Sequence, residues 1–136
     1  MQPGQKMNEF VEFGTNSTDP VTSVPDVTRQ SALAYRAAAI MAERGHCKNK
    51  LTDSEGRVCY LQALILAAEQ MELPPSAIAE IPVLGMSRTI LQERGYASIM
   101  PFGDSFLPVD YNNDPATSGE DVILLLKESG SRLEEQ

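Results

Sequence analysis

The 136-residue chain contains no tryptophan, one histidine and two cysteines, and these scarcities limit its chemistry. A zinc site needs a compact set of Cys, His or carboxylate ligands. Cys47 and Cys59 instead stand apart along the chain, with His46 as the one imidazole. Because only four Tyr and four Phe are present, the core must consist mainly of aliphatic side chains. We therefore expect neither a metal ion nor another cofactor.

Positive charge is also scarce, since 11 Lys and Arg face 19 Asp and Glu and leave a net charge of -8. Direct binding to nucleic acid depends on Lys and Arg that neutralise phosphates, so we expect none. No apolar run in the sequence approaches the roughly 20 residues of a membrane helix. The first residues also lack the apolar stretch of a signal peptide. We therefore expect a cytoplasmic protein that does not bind membranes and keeps both thiols reduced.

Apolar residues make up 42% of the sequence, which is enough for one hydrophobic core. Many of them recur at intervals of three and four residues, a spacing typical of amphipathic helices. We predict a mainly α protein, a compact bundle of four to five helices with a small hairpin or extended segments. The single helical domain should span residues 26–130, after a flexible N-terminal tail at 1–25 and before a frayed C-terminus at 131–136.

Capping residues, glycines and prolines set the expected helix limits. The predicted helices run from Asp26 or Thr28 to Arg44, from Val58 to Met71, from Ser76 to Ile81, from Leu84 or Ser87 to Arg94, and from Thr117 or Ser118 to Gly130.

Three further segments are expected to be non-helical. Asp53–Gly56 is typical of a turn and predicts a small hairpin around it. Residues 96–113 are predicted as short strands or extended loop. In the tail, the apolar patch Phe10–Phe13 suits a short strand or a docking arm, and plain disorder is the interpretation we favour.

Two strings of the sequence resemble a known family. The first is Glu43–Cys47 followed by Leu51–Leu64, and the second is Tyr111–Val122. They are similar to the patterns E-R-G-W, D-x-x-G-R-x-C-x-x-G-A-L and W-N-D-x-P-G-R-T of a small domain of unknown function from actinobacteria and their phages. The resemblance covers about residues 29–129.

The sequence departs from the family pattern in a few places. His46, Gln62 and Tyr111 stand where the family tends to have Trp, Gly and Trp, and the second string has an additional Asn. The resemblance implies a related fold and an actinobacterial or phage setting. It implies no activity and no functional residue.

Cys59 and His46 are the candidates for catalysis. A Cys–His pair acts as nucleophile and base when the side chains meet and a third group orients the imidazole. Cys59 also lies at a predicted helix start, which favours a thiolate. The alternative is that both cysteines are small buried residues, which is common for free thiols. On this alternative the sequence assigns no catalytic residue.

The segment Asp110–Asp121 has polar side chains at the spacing of a calcium-binding loop. Asp110, Asn112 and Asp114 would be its first three ligands, although Pro115 stands where such a loop needs glycine. An Asx turn followed by a helix N-cap explains the same residues and is the alternative.

Basic and aromatic residues that are scattered along the chain could converge on a small anionic ligand. The candidates are Arg36, Arg44, Arg57, Arg88, Tyr35 and Tyr111. A phosphate could also bind at Ser87–Thr89 if these residues open a helix.

The absence of a catalytic triad, a paired carboxylate motif and a cofactor loop leads us to expect a non-enzymatic binding protein. The expected role is that of a phage-type accessory protein that blocks a host or defence component in the host cytoplasm. Its partner would be a protein or a small signalling nucleotide. Two alternatives stay open: a structural virion or assembly component that uses the N-terminal arm, and a small Cys-dependent enzyme.

Overall fold

The computed structural model describes residues 27–73, 82–97 and 107–136 of the chain. These ranges contain five helices: α1 (Val27–Arg44), α2 (Tyr60–Gln70), α3 (Pro82–Glu93), α4 (Leu107–Asn113) and α5 (Gly119–Glu134). The described residues form no strand, and the prediction of a mainly α bundle is confirmed. The predicted tail at 1–25 and the predicted short helix at 76–81 lie outside the described residues. None of the described helices is long and apolar enough to cross a membrane.

The core lies around α1, which packs against both α5 and α2, with α3 packed against α5. Its members are aliphatic side chains with almost no exposure, which include Leu33, Met41, Leu64, Ile90, Leu125 and Leu126. Burial of such side chains is the main favourable contribution to folding, roughly 2 kcal/mol for each large one. The helices therefore pack together through the apolar faces that the spacing of their residues predicts.

Gly130 explains why α5 does not end where the sequence predicts. We expected the helix to end at Gly130, but α5 continues to Glu134. A Cβ on Gly130 would lie 3.1 Å from the ring of Tyr35 in α1. The carbonyl of Gly130 also accepts a hydrogen bond of 2.9 Å from the hydroxyl of Ser31 in α1. The glycine permits a close approach of α1 and α5 rather than capping the helix, so the predicted helix end at Gly130 is wrong and α5 is four residues longer.

Helix α4 corrects a second expectation, because its residues were predicted as strand or extended loop. Pro108 lies in the first turn, where a missing N–H costs no hydrogen bond. The following Asp and Asn residues are weak helix formers, so the local sequence favours a turn. Leu107, Asp110 and Asn112 are all buried, and tertiary contacts of this kind stabilise a helix that propensity does not predict.

The predicted capping features are confirmed at other helix ends. Gly45, with φ of +95°, follows the last residue of α1, and Gly95, with φ of +78°, closes the turn after α3. Ser118 caps the start of α5 with a capping box. The Oγ of Ser118 accepts from the N–H of Asp121, and the carboxylate of Asp121 accepts from the N–H of Ser118. Helix α3 starts at Pro82, earlier than predicted, since proline suits a first helical position.

A chain of buried hydroxyl groups crosses the core between α2, α3 and α5. Tyr60 donates to Ser87 Oγ at 2.8 Å, the hydroxyls of Ser87 and Ser129 lie 2.7 Å apart, and Ser129 donates to the carbonyl of Leu125 at 2.8 Å. Burial raises the pKa of the Tyr60 hydroxyl well above its ordinary value. The phenol is therefore a neutral hydrogen-bond donor that fixes α2 against α3.

Candidate binding site

The loop Gly45–Cys59, called the α1–α2 loop below, folds back on itself after α1. The N–H of Val58 donates to the carbonyl of Gly45 at 3.0 Å, and the N–H of Cys47 donates to the carbonyl of Val58 at 3.0 Å. The N–H of Cys59 donates to the carbonyl of Leu51 at 3.1 Å. These hydrogen bonds form isolated β-bridges and not a strand. They join the first residues of the loop to its last residues and so define its shape.

Asp53 organises the turn that the sequence predicts within this loop. Its Oδ1 accepts from the N–H groups of Glu55 and Arg57, each at 2.9 Å, and its Oδ2 accepts from Arg57 Nε at 2.6 Å. Burial acts to raise the pKa of Asp53, but the hydrogen bonds from Arg57 and Glu55 together lower it below its ordinary value. The carboxylate is therefore ionised and occupied by its own turn.

Asn112 of α4 is the residue that connects the loop to the helices. Its Oδ1 accepts from the N–H of Tyr60 and from His46 Nε2, each at 2.9 Å. Its Nδ2 donates to the carbonyl of Cys47 at 3.2 Å and to Asn113 Oδ1 at 3.0 Å. The N–H of Tyr60 opens α2 and has no partner inside that helix. One buried amide thus fixes the start of α2 and both ends of the loop.

This arrangement determines the tautomer of His46. Because the Asn112 Oδ1 already accepts from a backbone N–H, and Nδ2 is needed by a backbone carbonyl, the amide cannot be turned over. His46 Nε2 must then be the donor, which leaves Nδ1 without a proton in the neutral ring. Burial lowers the pKa of His46, and the charge of Lys48 acts in the same direction. At neutral pH the imidazole is therefore uncharged.

Three more contacts join the loop to the segment around α4. Lys48 Nζ donates to the carbonyl of Asp114 at 2.6 Å, and the N–H of Asn49 donates to Asn113 Oδ1 at 2.8 Å. Asn49 has a φ of 64°, in the left-handed region that asparagine tolerates better than most residues. A Cβ on Gly119 would lie 2.7 Å from His46 Cβ, so a glycine is required at the start of α5.

Two hollows flank the tip of the loop. The basic hollow, of about 510 Å³, is lined by His46, Cys47, Lys48, Lys50, Asp53, Ser54 and Arg57. The apolar hollow, of about 310 Å³, is lined by Asn49, Lys50, Leu51, Cys59, Tyr60, Leu61, Val109, Asn112 and Asn113. Lys50 belongs to both hollows, and Leu51 beside it is 48% exposed. The loop therefore presents positive charge and an apolar side chain side by side.

The two cysteines lie at the base of this loop and use their sulfur atoms locally. Cys47 Sγ lies 3.3 Å from the carbonyl oxygen of Arg57 and 3.4 Å from that of Lys50. Burial raises the pKa of the Cys47 thiol, and the nearby Cys59 acts in the same direction. Cys59 caps α2, where its Sγ accepts from the N–H of Gln62 at 3.4 Å. Neither thiol forms a hydrogen bond with His46 in the part of the chain that the structure describes.

The calcium candidates occupy different settings from those of a calcium loop. Asp110 and Asn112 lie within α4, and the Asn112 Oδ1 already accepts hydrogen bonds from His46 and Tyr60. Asp114 Oδ1 accepts from the N–H of Ala116 at 2.9 Å, which is an Asx turn, and its Oδ2 accepts from Tyr96 at 3.0 Å. Among residues 27–73, 82–97 and 107–136, no group of three His, Cys, Asp or Glu side chains is placed to hold a metal ion.

The predicted ligand-binding residues do not form one site, although two of them line the same hollow. Tyr35 and Arg36 line an open hollow between α1 and the end of α5, where they bond to Glu134 and Gln70 respectively. Of the others, Arg57 lies in the α1–α2 loop, Arg44 ends α1, Arg88 is exposed on α3, and Tyr111 packs edge-on against Tyr96.

The proposed phosphate position also changes. Ser87 lies inside α3 and is buried, so Ser87–Thr89 do not open a helix.

Sequence reasoning missed Asn112 as a structural centre and missed Lys48, Lys50 and Leu51 as surface residues. One available signal was the order Lys48-Asn49-Lys50-Leu51, in which a large apolar residue follows two lysines in a polar loop. The position of Asn112 gave no such signal, because its partners in the loop and at the start of α2 lie 52 to 66 residues away along the chain.

Comparison with known proteins gives a match to a family model. The family model described as "Family of unknown function (DUF6197)" matches residues 25–132. That range contains the α1–α2 loop and all five helices, except for the last two residues of α5. Neither a curated protein nor a solved structure matches the chain significantly.

Proposed function

The chain belongs to the Family of unknown function (DUF6197), and we propose from its own geometry that it is a non-enzymatic binding protein. Its recognition surface, in this proposal, is formed by the α1–α2 loop and α4. The partner is a protein that contacts the basic and apolar hollows together. The observation that carries the proposal is the anchoring of the loop by Asn112.

A loop that is held before binding loses little conformational entropy when a partner arrives. Asn112 bonds to His46, Cys47 and Tyr60, and Lys48 and Asn49 are tied to neighbours of Asn112. Loops on rigid scaffolds often carry binding residues. The contacts of Asn112 support a loop that is shaped in advance rather than one that is shaped by its partner.

The chemistry of the exposed tip supports a protein partner. Leu51 is nearly half exposed, and it lies next to Lys50, which lines both hollows. An apolar anchor that enters a partner's pocket, with charges at its rim, is a common arrangement in protein interfaces. Lys48 and Lys50 also give this surface local positive charge in a chain whose net charge is -8, while Arg57 is paired with Asp53.

We further propose that the partner is a host or defence component. The resemblance to a domain of actinobacteria and their phages supports a host or defence component as the target. A small signalling nucleotide remains the alternative partner. It receives less support, because the described Arg and Tyr candidates are distributed over separate surfaces.

Site-specific photo-crosslinking would test the binding proposal in the cell from which the chain comes. A photoreactive residue at position 51 should capture a partner protein, whereas the same residue at position 124 should not. Leu124 is 50% exposed on α5 and is therefore a matched control. Lys50→Glu should reduce capture at position 51. Capture that is equal at both positions, or absent from both, would contradict the proposal.

One observation favours a second candidate, a small Cys-dependent enzyme. The fixed tautomer of His46 leaves Nδ1 able to accept a proton, as a general base requires. A nucleophile must still reach this nitrogen. Alkylation of the folded protein by iodoacetamide tests the idea: this candidate predicts fast modification of Cys59 that slows in His46→Gln. A slow rate that His46→Gln leaves unchanged would exclude it.

A further inference from the structure

The two hollows beside Lys50 define what kind of segment can bind across them. One side offers the cations Lys48 and Lys50, and the other offers the apolar side chains of Leu51, Leu61 and Val109. Asp53 lies in the basic hollow, but its carboxylate is paired with Arg57. A short segment with acidic and apolar residues next to each other would complement both sides.

The chain itself contains such a segment in Glu9–Phe13, whose sequence is Glu-Phe-Val-Glu-Phe. It combines two carboxylates with two aromatic residues and one valine. An extended segment of five residues is about 15 Å long, which is enough to cross two adjacent hollows. Most of an acidic protein's surface repels such a segment, so the local cluster of cations is the favourable place for it.

We propose that the segment Glu9–Phe13 of this chain binds across the basic and apolar hollows. Glu9 and Glu12 pair with Lys48 and Lys50, and the aromatic side chains enter the apolar hollow. A partner protein must then compete with this segment for the same surface. The proposal rests on the surface described under the proposed function, and it adds a second occupant to it.

The length of chain before α1 permits this contact in two ways. Residues 14–26 number thirteen, which corresponds to a mean end-to-end distance of about 20 Å and a maximum of about 45 Å. Helix α1 has 18 residues and is about 27 Å long, and the α1–α2 loop begins at its far end. The segment can reach the loop of its own copy when residues 14–26 are stretched, and it reaches the loop of a second copy without that requirement.

The test uses the full chain with a photoreactive benzoyl-phenylalanine in place of Phe13. Irradiation followed by mass spectrometry should locate cross-links within residues 48–61 or 107–113. Leu51→Asp and Lys50→Glu should each lower the yield about tenfold, the change that a typical interface anchor produces. The controls Leu124→Asp and Lys127→Glu, at exposed positions of α5, should leave the yield within a factor of about two.

Each outcome decides the proposal. Cross-links elsewhere in the chain, or a yield that Leu51→Asp and Lys50→Glu leave unchanged, would overturn it. Because positions 50 and 51 are exposed, circular dichroism should show both variants folded, and Glu12→Lys provides a variant outside the described residues. A mixture of isotope-labelled and unlabelled chains separates contacts within one copy from contacts between two copies, and either supports the binding.

The two experiments fail independently. A cross-link from position 13 to the loop without any partner captured at position 51 leaves this inference standing and removes the proposed function. A partner captured at position 51 with no cross-link from position 13 does the reverse.

Discussion

The helical core and the α1–α2 loop are stabilised in different ways. In the core, residues of α1 and α5 such as Leu33 and Leu125 are fully buried and contact other aliphatic groups. The loop is instead held by Asn112 of α4, which makes directed hydrogen bonds to backbone atoms of Cys47 and Tyr60, and Leu51 at the tip is exposed. Apolar burial tolerates many sequences, whereas a network of this kind requires particular donors and acceptors.

This difference indicates how the two regions divide their tasks. The core supplies most of the free energy of folding, since buried apolar area is the dominant favourable contribution. The loop places Val58 in the core, and its hydrogen bonds fix one shape at the surface. Substitutions should therefore separate global stability from loop geometry, and the following four predictions are ordered by the size of the expected effect.

Leu125→Ala should cause the largest loss of stability. The side chain is fully buried between helices, and truncation of such a residue leaves a cavity that costs about 2–5 kcal/mol of the free energy of unfolding. Urea denaturation measures the loss. Leu124→Ala is the control on the adjacent, half-exposed position and should change stability by less than about 0.5 kcal/mol. Equal losses at the two positions would mean that the helix is buried differently.

Asn112→Ala should lower the free energy of unfolding by about 2–4 kcal/mol, because it leaves the Tyr60 N–H and the Cys47 carbonyl without partners. Unlike the core substitution, it should also accelerate hydrogen exchange selectively at the amides of residues 46–60. Asn112→Asp keeps the acceptor and removes the donor, so it should recover part of the loss. Uniform acceleration of exchange throughout the chain would contradict a local role.

Gly119→Ala should destabilise the protein by about 1–3 kcal/mol, because the new Cβ overlaps His46 Cβ and the loop must move. Gly85→Ala is the matched control inside α3, where an added Cβ meets no atom within 4 Å. That change should stabilise the protein by up to about 1 kcal/mol, since alanine favours helix over glycine. Thermal unfolding of both variants should give opposite signs.

The pH dependence from His46 should be the smallest effect. Its pKa is lowered in the folded state, mainly by burial and further by Lys48, so the unfolded chain binds the proton more readily. Stability should therefore fall as pH falls below 6.5, the ordinary value, by less than about 1 kcal/mol for a half-buried ring. Asp53, Asp114 and Asp121 have lowered pKa values and act only at more acidic pH.

Comparison of wild type with His46→Gln isolates this contribution. The glutamine amide can donate to Asn112 but does not titrate. The two proteins should differ in the slope of stability between pH 7 and pH 5, and parallel curves would show that His46 does not carry the dependence.

Much of the fold could be predicted because helix ends carry local signals. Gly45, Gly95 and the capping box at Ser118 act within one or two turns of the backbone that they terminate. Gly130 gave the same kind of signal but led to the wrong end of α5. A glycine that permits close contact between helices looks, in the sequence, the same as a glycine that caps a helix. Local sequence cannot distinguish the two.

The candidate site could be predicted only in part. The turn at Asp53 was evident, because its hydrogen bonds connect residues two to four positions apart. The hollows beside Lys50 were not, because their walls come from the loop, α2 and α4. The two strings that resemble the family meet in the structure, but nothing in either string states that Asn112 is their point of contact.

The sequence alone determined the number and kind of most helices, their buried stripes and the acidic character of the chain. These properties follow from local propensity, spacing and composition, and neighbouring residues decide them. Only the tertiary structure decided that α4 is a helix, that Gly130 lies inside α5, and that Asn112 fixes a loop more than fifty residues earlier. Each of these depends on groups that are distant in sequence, whose proximity exists only after the core has packed.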